Sequence, residues 1–286
     1  MEYRIFINGH FLKPSRAKIP IQNVGFLFGW GIFETMRSYK GSVYRLSDHI
    51  KRLTSSASFL GIPLTLSDKE ISQIVYETLK INNLQEAYIK IILSGGTYSG
   101  KLSDPSSKST FVVISKPITS FPESWYKEGI SVTFSSIRRN SASPIYQHKT
   151  LNFLENIIAK REAEEKGYQE AIFLNNEGYL TEGSVTNIFL VKKGDLFTPS
   201  VDCGLLPGIT RQVVFEICSH LGILCKERKI KPEEIWDADE IFLTNSIREI
   251  LPVARINTHQ VRDGKPGAIT RLLMKEYSYQ TNFCKK

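Results

Sequence analysis

Apolar and polar residues alternate from Tyr3 to Ile7 and again from Met36 to Tyr39, and each run ends in turn residues, Asn8-Gly9 and Lys40-Gly41. Both runs predict strands. A helical period takes over at Ser47, where Ile50, Leu53, Ala57 and Leu60 share one face until Gly61-Ile62-Pro63 breaks the pattern. Ser67 and Glu70 have capping-box spacing, and the helix they open turns Ile71, Ile74, Val75 and Leu79 toward a core. Strands from Tyr88 to Leu93 and from Phe111 to Ser115 flank GGTYSGKLSDPSSKS, a loop too polar to pack. The stretch KPITSFP, with two prolines and no period, predicts a linker. The expected division is a smaller N-terminal α/β domain at 1–115, a linker at 116–124 and a larger domain at 125–286.

In the second domain the pattern predicts a strand from Ile130 to Phe134 and a long helix near Thr150 to Lys166, with Leu151, Leu154 and Ile158 docking on the core. A meander follows through Ala171–Leu174, Tyr179–Thr181, Val185–Val191 and Leu196–Thr198. A helix starting beside Pro207 runs through Val213, Val214, Ile217 and Leu221, before a strand at Glu240–Thr244 and a final helix at Gly267–Tyr277.

Composition narrows the class. With 286 residues, 41% hydrophobic and 23% charged, the chain has the make-up of an ordinary globular protein with room for a sheltered site. It has no apolar run of about 18 residues, the length a membrane span needs. The opening MEYRIFINGHF lacks the basic-then-apolar order of a secretory leader, so the expectation is a cytoplasmic protein. Cys203, Cys218, Cys225 and Cys284 form no CxxC pair and the five histidines no HExxH, which argues against structural zinc and a disulfide framework and leaves no metal expected. The net charge of +8 suits a small anionic ligand. Its densest cluster, KERKIK at 226–231, reads as a solvated segment. Basic residues are not interleaved with aromatic platforms, so no nucleic-acid partner is expected.

Three places in the second domain carry candidate chemistry. Lys149 precedes the expected long helix, where the dipole favours a neutral amine, the form that attacks carbonyls. From position alone a surface lysine that happens to precede a helix is the more common case. Glu182 interrupts two apolar strands and is either a turn residue or a paired buried carboxylate. In LPGITR, Pro207 and Gly208 open a helix whose first N–H groups and the Thr210 hydroxyl suit an anion, or simply start a helix.

Taken with INGHF, FLFGWGIFETMR, LSDHIKRL, KTLNFLENIIAKREA, GYLTEGSVTNIFLV, LLPGITR and FLTNSIREILPV in this order, the chain resembles the class IV (fold type IV) pyridoxal-phosphate enzymes over nearly its whole length. That family includes branched-chain and D-amino-acid aminotransferases and aminodeoxychorismate lyase. The resemblance implies two α/β domains joined by a short linker with pyridoxal 5'-phosphate between them. It also implies a homodimer whose site is completed by the neighbouring chain, with no membrane association.

Residue by residue, the resemblance implies that Lys149 binds the cofactor covalently and that Glu182 keeps its ring nitrogen protonated. It assigns the cofactor phosphate to Arg52, Ile209, Thr210 and Ser246, and one face of the ring to Leu206. It places Phe33, Tyr88, Lys90, Asn245, Ile247 and Arg248 toward a small anionic substrate. Trp30 stands where aminotransferases of the class often have Asp, Thr35 where branched-chain enzymes have Gly, and Gly95 where one D-amino-acid type has a substrate-binding arginine. The FET triplet, KTLNFLEN and TNSIREILPV are similar to aminodeoxychorismate lyase. This makes release of 4-aminobenzoate and pyruvate from aminodeoxychorismate the first expectation, with Thr35 relaying a proton. The alternative is an amino-acid aminotransferase, branched-chain before D-amino-acid.

Overall fold

The computed structural model describes residues 3–102 and 108–283. Residues 103–107 of the polar loop and Cys284 fall outside the described residues. Contacts divide the chain into two units: Met1–Thr119 with His148–Asn152 and Thr281–Lys286, and Ser120–Gln147 with Phe153–Gln280. The pentapeptide containing Lys149, expected in the second domain, therefore belongs to the first unit.

The first unit is built on a six-stranded antiparallel sheet in the order His10–Leu12, Ile5–Ile7, Thr110–Pro117, Ala87–Ser94, Gly31–Tyr39, Ser42–Val43. Strand pairing extends the run expected from Met36 back to Gly31, because residues 31–38 lie opposite Ala87–Ser94 along their whole length. Lys116 and Pro117, expected in the linker, end a strand instead. Period two sorts this sheet into two faces. Met36, Ile89, Ile91 and Val113 lie under the helices Leu46–Phe59 and Asp68–Ile81, against Ile50, Leu53, Ile71 and Val75. The capping box is present, with the Glu70 N–H donating to Ser67 Oγ and the Ser67 N–H to Glu70 Oε2. Phe33, Thr35 and Arg37 share the opposite face with Ile92, Lys90 and Tyr88.

The second unit holds a nine-stranded mixed sheet. Its path runs Cys225–Arg228, Asp195–Pro199, Asn187–Lys192, Glu240–Asn245, Glu249–Ile256, Ile130–Arg139, Glu170–Asn175, Leu180–Gly183, and His259–Gln260 pairs with Glu249–Ile256. The pattern gave no sign of Glu249–Ile256, since Pro252 interrupts it. Pro252 is tolerated there: it lies opposite Phe242, and pairing with the other neighbour begins only at Val253. The KERKIK segment is part strand, with Ile230 fully buried and its charges paired as Arg228–Glu234 and Lys229–Glu177.

The long helix starts later than expected, at Leu154, and runs to Glu165. It docks through Asn156, Ala159 and Ala163, while Leu154 is 67% exposed. Lys149 is thus five residues ahead of the helix. The dipole fades within one turn, so it does not act on this lysine as the sequence suggested. Two further long helices are Ile209–Leu221 and Ala268–Asn282. No helix among the described residues is long and apolar enough to cross a membrane, and no group of three or more metal-ligating side chains occurs among them.

Candidate active site

Lys149 is held by backbone pairing rather than by a helix. The outer edge of Gly31–Phe33 has no strand of the sheet beside it, and residues 149–151 take that place. The Phe33 N–H donates to Lys149 O at 2.8 Å, the Leu151 N–H donates to Gly31 O at 2.9 Å, and Ile32 bridges Thr150. The Leu151 side chain lies so close to Gly31 that a Cβ there would meet its Cδ1 at 2.5 Å, and a Cβ at Gly25 would meet the Ser94 Cβ at 2.6 Å. The Lys149 ammonium stands 4.7 Å from the centre of the Phe33 ring, and Lys90 lies 4.3 Å from the same ring. Burial lowers the Lys90 ammonium from its ordinary range. On the same face, Thr35 and Tyr88 are hydrogen-bonded through their side chains; burial raises the Tyr88 phenol and this bond opposes it.

Beneath this strand lies a cluster that the sequence reading missed. Glu34 faces the helices and accepts from Arg52 Nε at 2.7 Å and Nη2 at 2.8 Å, while His49 Nδ1 lies 2.7 Å from Oε2. Burial by itself would raise the Glu34 carboxyl, but Arg52 and His49 outweigh it and hold the carboxyl at about 2. Burial keeps His49 below its ordinary value against the pull of Glu34, so the neutral ring donates from Nδ1. Arg52, expected on a phosphate, is aimed by this bidentate fork, which engages two of its five N–H donors. The signal was present in the sequence: Glu34 occupies a core position of the alternation, and His49 and Arg52 are three apart on one helix face.

The second unit by itself holds a buried carboxylate and an uncapped helix start. Glu182 sits within the buried strand Leu180–Gly183 rather than in a turn. Its Oε2 accepts from the Leu206 N–H at 3.1 Å and Asn187 Nδ2 at 3.4 Å, and Arg139 Nη2 lies 3.6 Å from Oε1. The Arg139 guanidinium is sandwiched by Phe173 and Tyr146 at 4.2 and 4.4 Å, a placement that only the fold creates. Asn187 also donates to Leu206 O at 2.9 Å, and a Cβ at Gly208 would collide with its Oδ1. One amide therefore ties the carboxylate to the start of helix Ile209–Leu221. That helix has no side-chain cap at Gly208, so its first-turn N–H groups at Ile209 and Thr210 are available to an anion. These are the donors a phosphate requires, and a buried carboxylate a few residues away in space is what a pyridine N–H requires; the residues fit pyridoxal phosphate.

The remaining expected residues divide. Ser246 lies in the turn between Glu240–Asn245 and Glu249–Ile256, and Asn245 Oδ1 builds that turn by accepting from the Ile247 and Arg248 N–H groups at 3.0 and 2.6 Å. The Arg248 side chain is directed at buried Glu170, 3.7 Å away, and at the rings of Phe121 and Trp125, which occupies it inside the fold.

The amino-transferase class IV family model matches residues 31–256. The chain belongs to the class IV aminotransferases. Members of this class use pyridoxal phosphate. The class IV chain is 32% identical to the branched-chain-amino-acid aminotransferase of Escherichia coli, over 96% of this chain and 91% of that one. A crystal structure of the E. coli branched-chain amino acid aminotransferase has a TM-score of 0.95 to it at 28% identity, covering 100% of this chain and 97% of that one. The aminodeoxychorismate lyase of Bacillus subtilis is also 32% identical, over 95% of this chain and 94% of that one.

Proposed function

We propose that this class IV enzyme is an amino-acid aminotransferase acting on small substrates with apolar, branched side chains. The observation that carries the reading is the sheet face beside Lys149, where Phe33 and Ile92 are apolar and the Lys90 ammonium lies against the same Phe33 ring as Lys149. An apolar side chain packs on Phe33, and a carboxylate pairs with Lys90. The likeness to branched-chain aminotransferases supports this order of preference over the lyase. A D-amino-acid enzyme of the arginine type is disfavoured by packing, because a Cβ at Gly95 would lie 2.9 Å from Val24 and 3.4 Å from Trp30.

In this proposal the Lys149 amine binds the cofactor and moves a proton at the substrate carbon. Bound pyridoxal phosphate supplies a ring that takes up the electron pair left at that carbon. Glu182 holds a proton at the ring nitrogen, Leu206 lies against the ring, and Arg52 with the N–H groups of Ile209 and Thr210 and with Ser246 binds the phosphate. Mutation of Lys149 to Ala is expected to remove turnover by about ten-thousandfold or more. A cytoplasmic homodimer completes the proposal; light scattering should give twice the 32.5 kDa chain mass.

Aminodeoxychorismate lyase activity is the second reading, favoured by the Thr35 hydroxyl and its bond to Tyr88, which suit a proton relay to a leaving enolpyruvyl group. One experiment separates the two. Leucine added to the yellow protein should convert the cofactor to its amine form, which a branched-chain keto acid reverses. Retention of the aldehyde form with leucine, together with release of 4-aminobenzoate and pyruvate from aminodeoxychorismate, would reject the aminotransferase in favour of the lyase.

A further inference from the structure

Helix Ile209–Leu221 ends at Gly222, whose φ of 69° lets the chain turn back sharply. The Ile223 N–H donates to Cys218 O at 2.9 Å, so the returning segment lies along the last helical turn. Two residues later Cys225 opens the edge strand Cys225–Arg228, opposite Leu196, and the Leu196 N–H donates to Leu224 O at 2.8 Å. This path sets Cys225 beside the last turn of the helix that carries Cys218, and the two sulfurs interact. Cys218 is fully buried and Cys225 half-buried. Neither residue has a part in the site described above.

We propose that Cys218 and Cys225 form a reversible dithiol site that a peroxide oxidises to a disulfide, joining the end of helix Ile209–Leu221 to the edge strand. Solvent reaches the half-buried Cys225 sulfur first. Its thiolate attacks one peroxide oxygen, the O–O bond breaks, and hydroxide leaves from a Cys225 sulfenic acid. The Cys218 sulfur then attacks the Cys225 sulfur, so the S–S bond forms as the S–O bond breaks, and the departing hydroxide takes the Cys218 proton as water. Two thiols are oxidised and one peroxide is reduced to two waters. The Cys218 sulfur and burial hold the Cys225 thiol above its ordinary range, and the Arg211 guanidinium opposes them. The same interaction eases ionisation of Cys218 against its burial, and passage of the Cys225 proton to the Cys218 sulfur supplies the thiolate that attacks. Cys203 differs, since its buried sulfur faces the Ser200 hydroxyl at 3.6 Å. The bridge closes the loop around Gly222 at the opposite end of the helix from the Gly208 cradle, so it fixes the helix without covering the site.

The test uses the full chain loaded with pyridoxal phosphate, exposed to one equivalent of hydrogen peroxide, alkylated and digested with trypsin. Both cysteines fall within one tryptic peptide, residues 212–226. The expected product is that peptide unalkylated and lighter by about 2 Da, the mass of two hydrogens, with dithiothreitol restoring two alkylation sites. Cys218→Ser should instead leave Cys225 as a sulfenic acid that dimedone traps. Double alkylation after peroxide, a sulfinic Cys225 beside alkylated Cys218, or a bridge to Cys203 or Cys284 would each overturn the proposal.

Discussion

Glu34 in the first unit and Glu182 in the second are both buried carboxylates facing an arginine, yet they are held in different ways. Both oxygens of Glu34 are taken by a fork from Arg52 at 2.7 and 2.8 Å, with His49 added at Oε2. Glu182 binds neutral amides through Oε2, and its arginine stands off at 3.6 Å from Oε1. A saturated carboxylate is a positioning element: its charge is spent on aiming Arg52. Glu182 is met by neutral amides and by an arginine at a longer distance, so its charge is not spent on aiming a cation. Electrostatics alone would class the two together, and the geometry of the second oxygen separates them.

This contrast predicts where mutations act. Of the two carboxylates, the larger effect on turnover is expected for Glu182→Gln, which keeps the amide contacts and removes the charge. Turnover should fall by about a hundredfold to a thousandfold with a nearly unchanged melting temperature. Equal losses of stability and turnover would make Glu182 structural like Glu34. Glu34→Gln should reverse that balance. Leaving Arg52 without its anion is expected to cost about 3 to 5 kcal/mol in a urea titration, with weakened cofactor retention but turnover largely recovered at saturating pyridoxal phosphate.

Acid titration reads the same cluster. Glu34 falls from its ordinary value of 4.5 to about 2, so its contribution is complete above pH 4.5 and is lost as the pH falls toward 2. His49 lies below its ordinary 6.5, so below pH 6.5 the unfolded chain takes up a proton that the folded chain refuses, and stability starts to fall there. His49→Gln should flatten the melting-temperature profile just below pH 6.5 and leave the steeper drop below 4.5. A profile unchanged by this substitution would remove His49 from the cluster's energetics.

The smallest effect is expected at Thr35. Thr35→Val removes one hydrogen bond to Tyr88, worth about 1 kcal/mol, and transamination should slow less than about tenfold. A loss of a hundredfold or more in 4-aminobenzoate release would return the relay role and the lyase reading.

Much of this protein was legible along the chain because local order sets it. The period-two runs, the helix faces of Leu46–Phe59 and Asp68–Ile81, the Ser67–Glu70 cap and the Pro207-Gly208 helix start each depend on neighbours within a few residues. Lys149, Glu182 and the LPGITR segment could be singled out because a cation, a carboxylate and an uncapped helix start are each conspicuous in their local setting. Tertiary structure decided what holds them. Lys149 is set by pairing with an otherwise unpaired strand edge more than a hundred residues earlier, not by the helix after it. Arg139 reaches Glu182, and Glu34 meets Arg52, only because strands and helices remote in sequence are stacked together. Cys218 and Cys225, without a redox motif between them, become a pair because Gly222 turns the chain back on its helix. Hydrogen bonds within a few residues leave a periodic trace in the sequence, whereas a contact between distant segments leaves none, since either partner looks like an ordinary residue until packing brings the other to it.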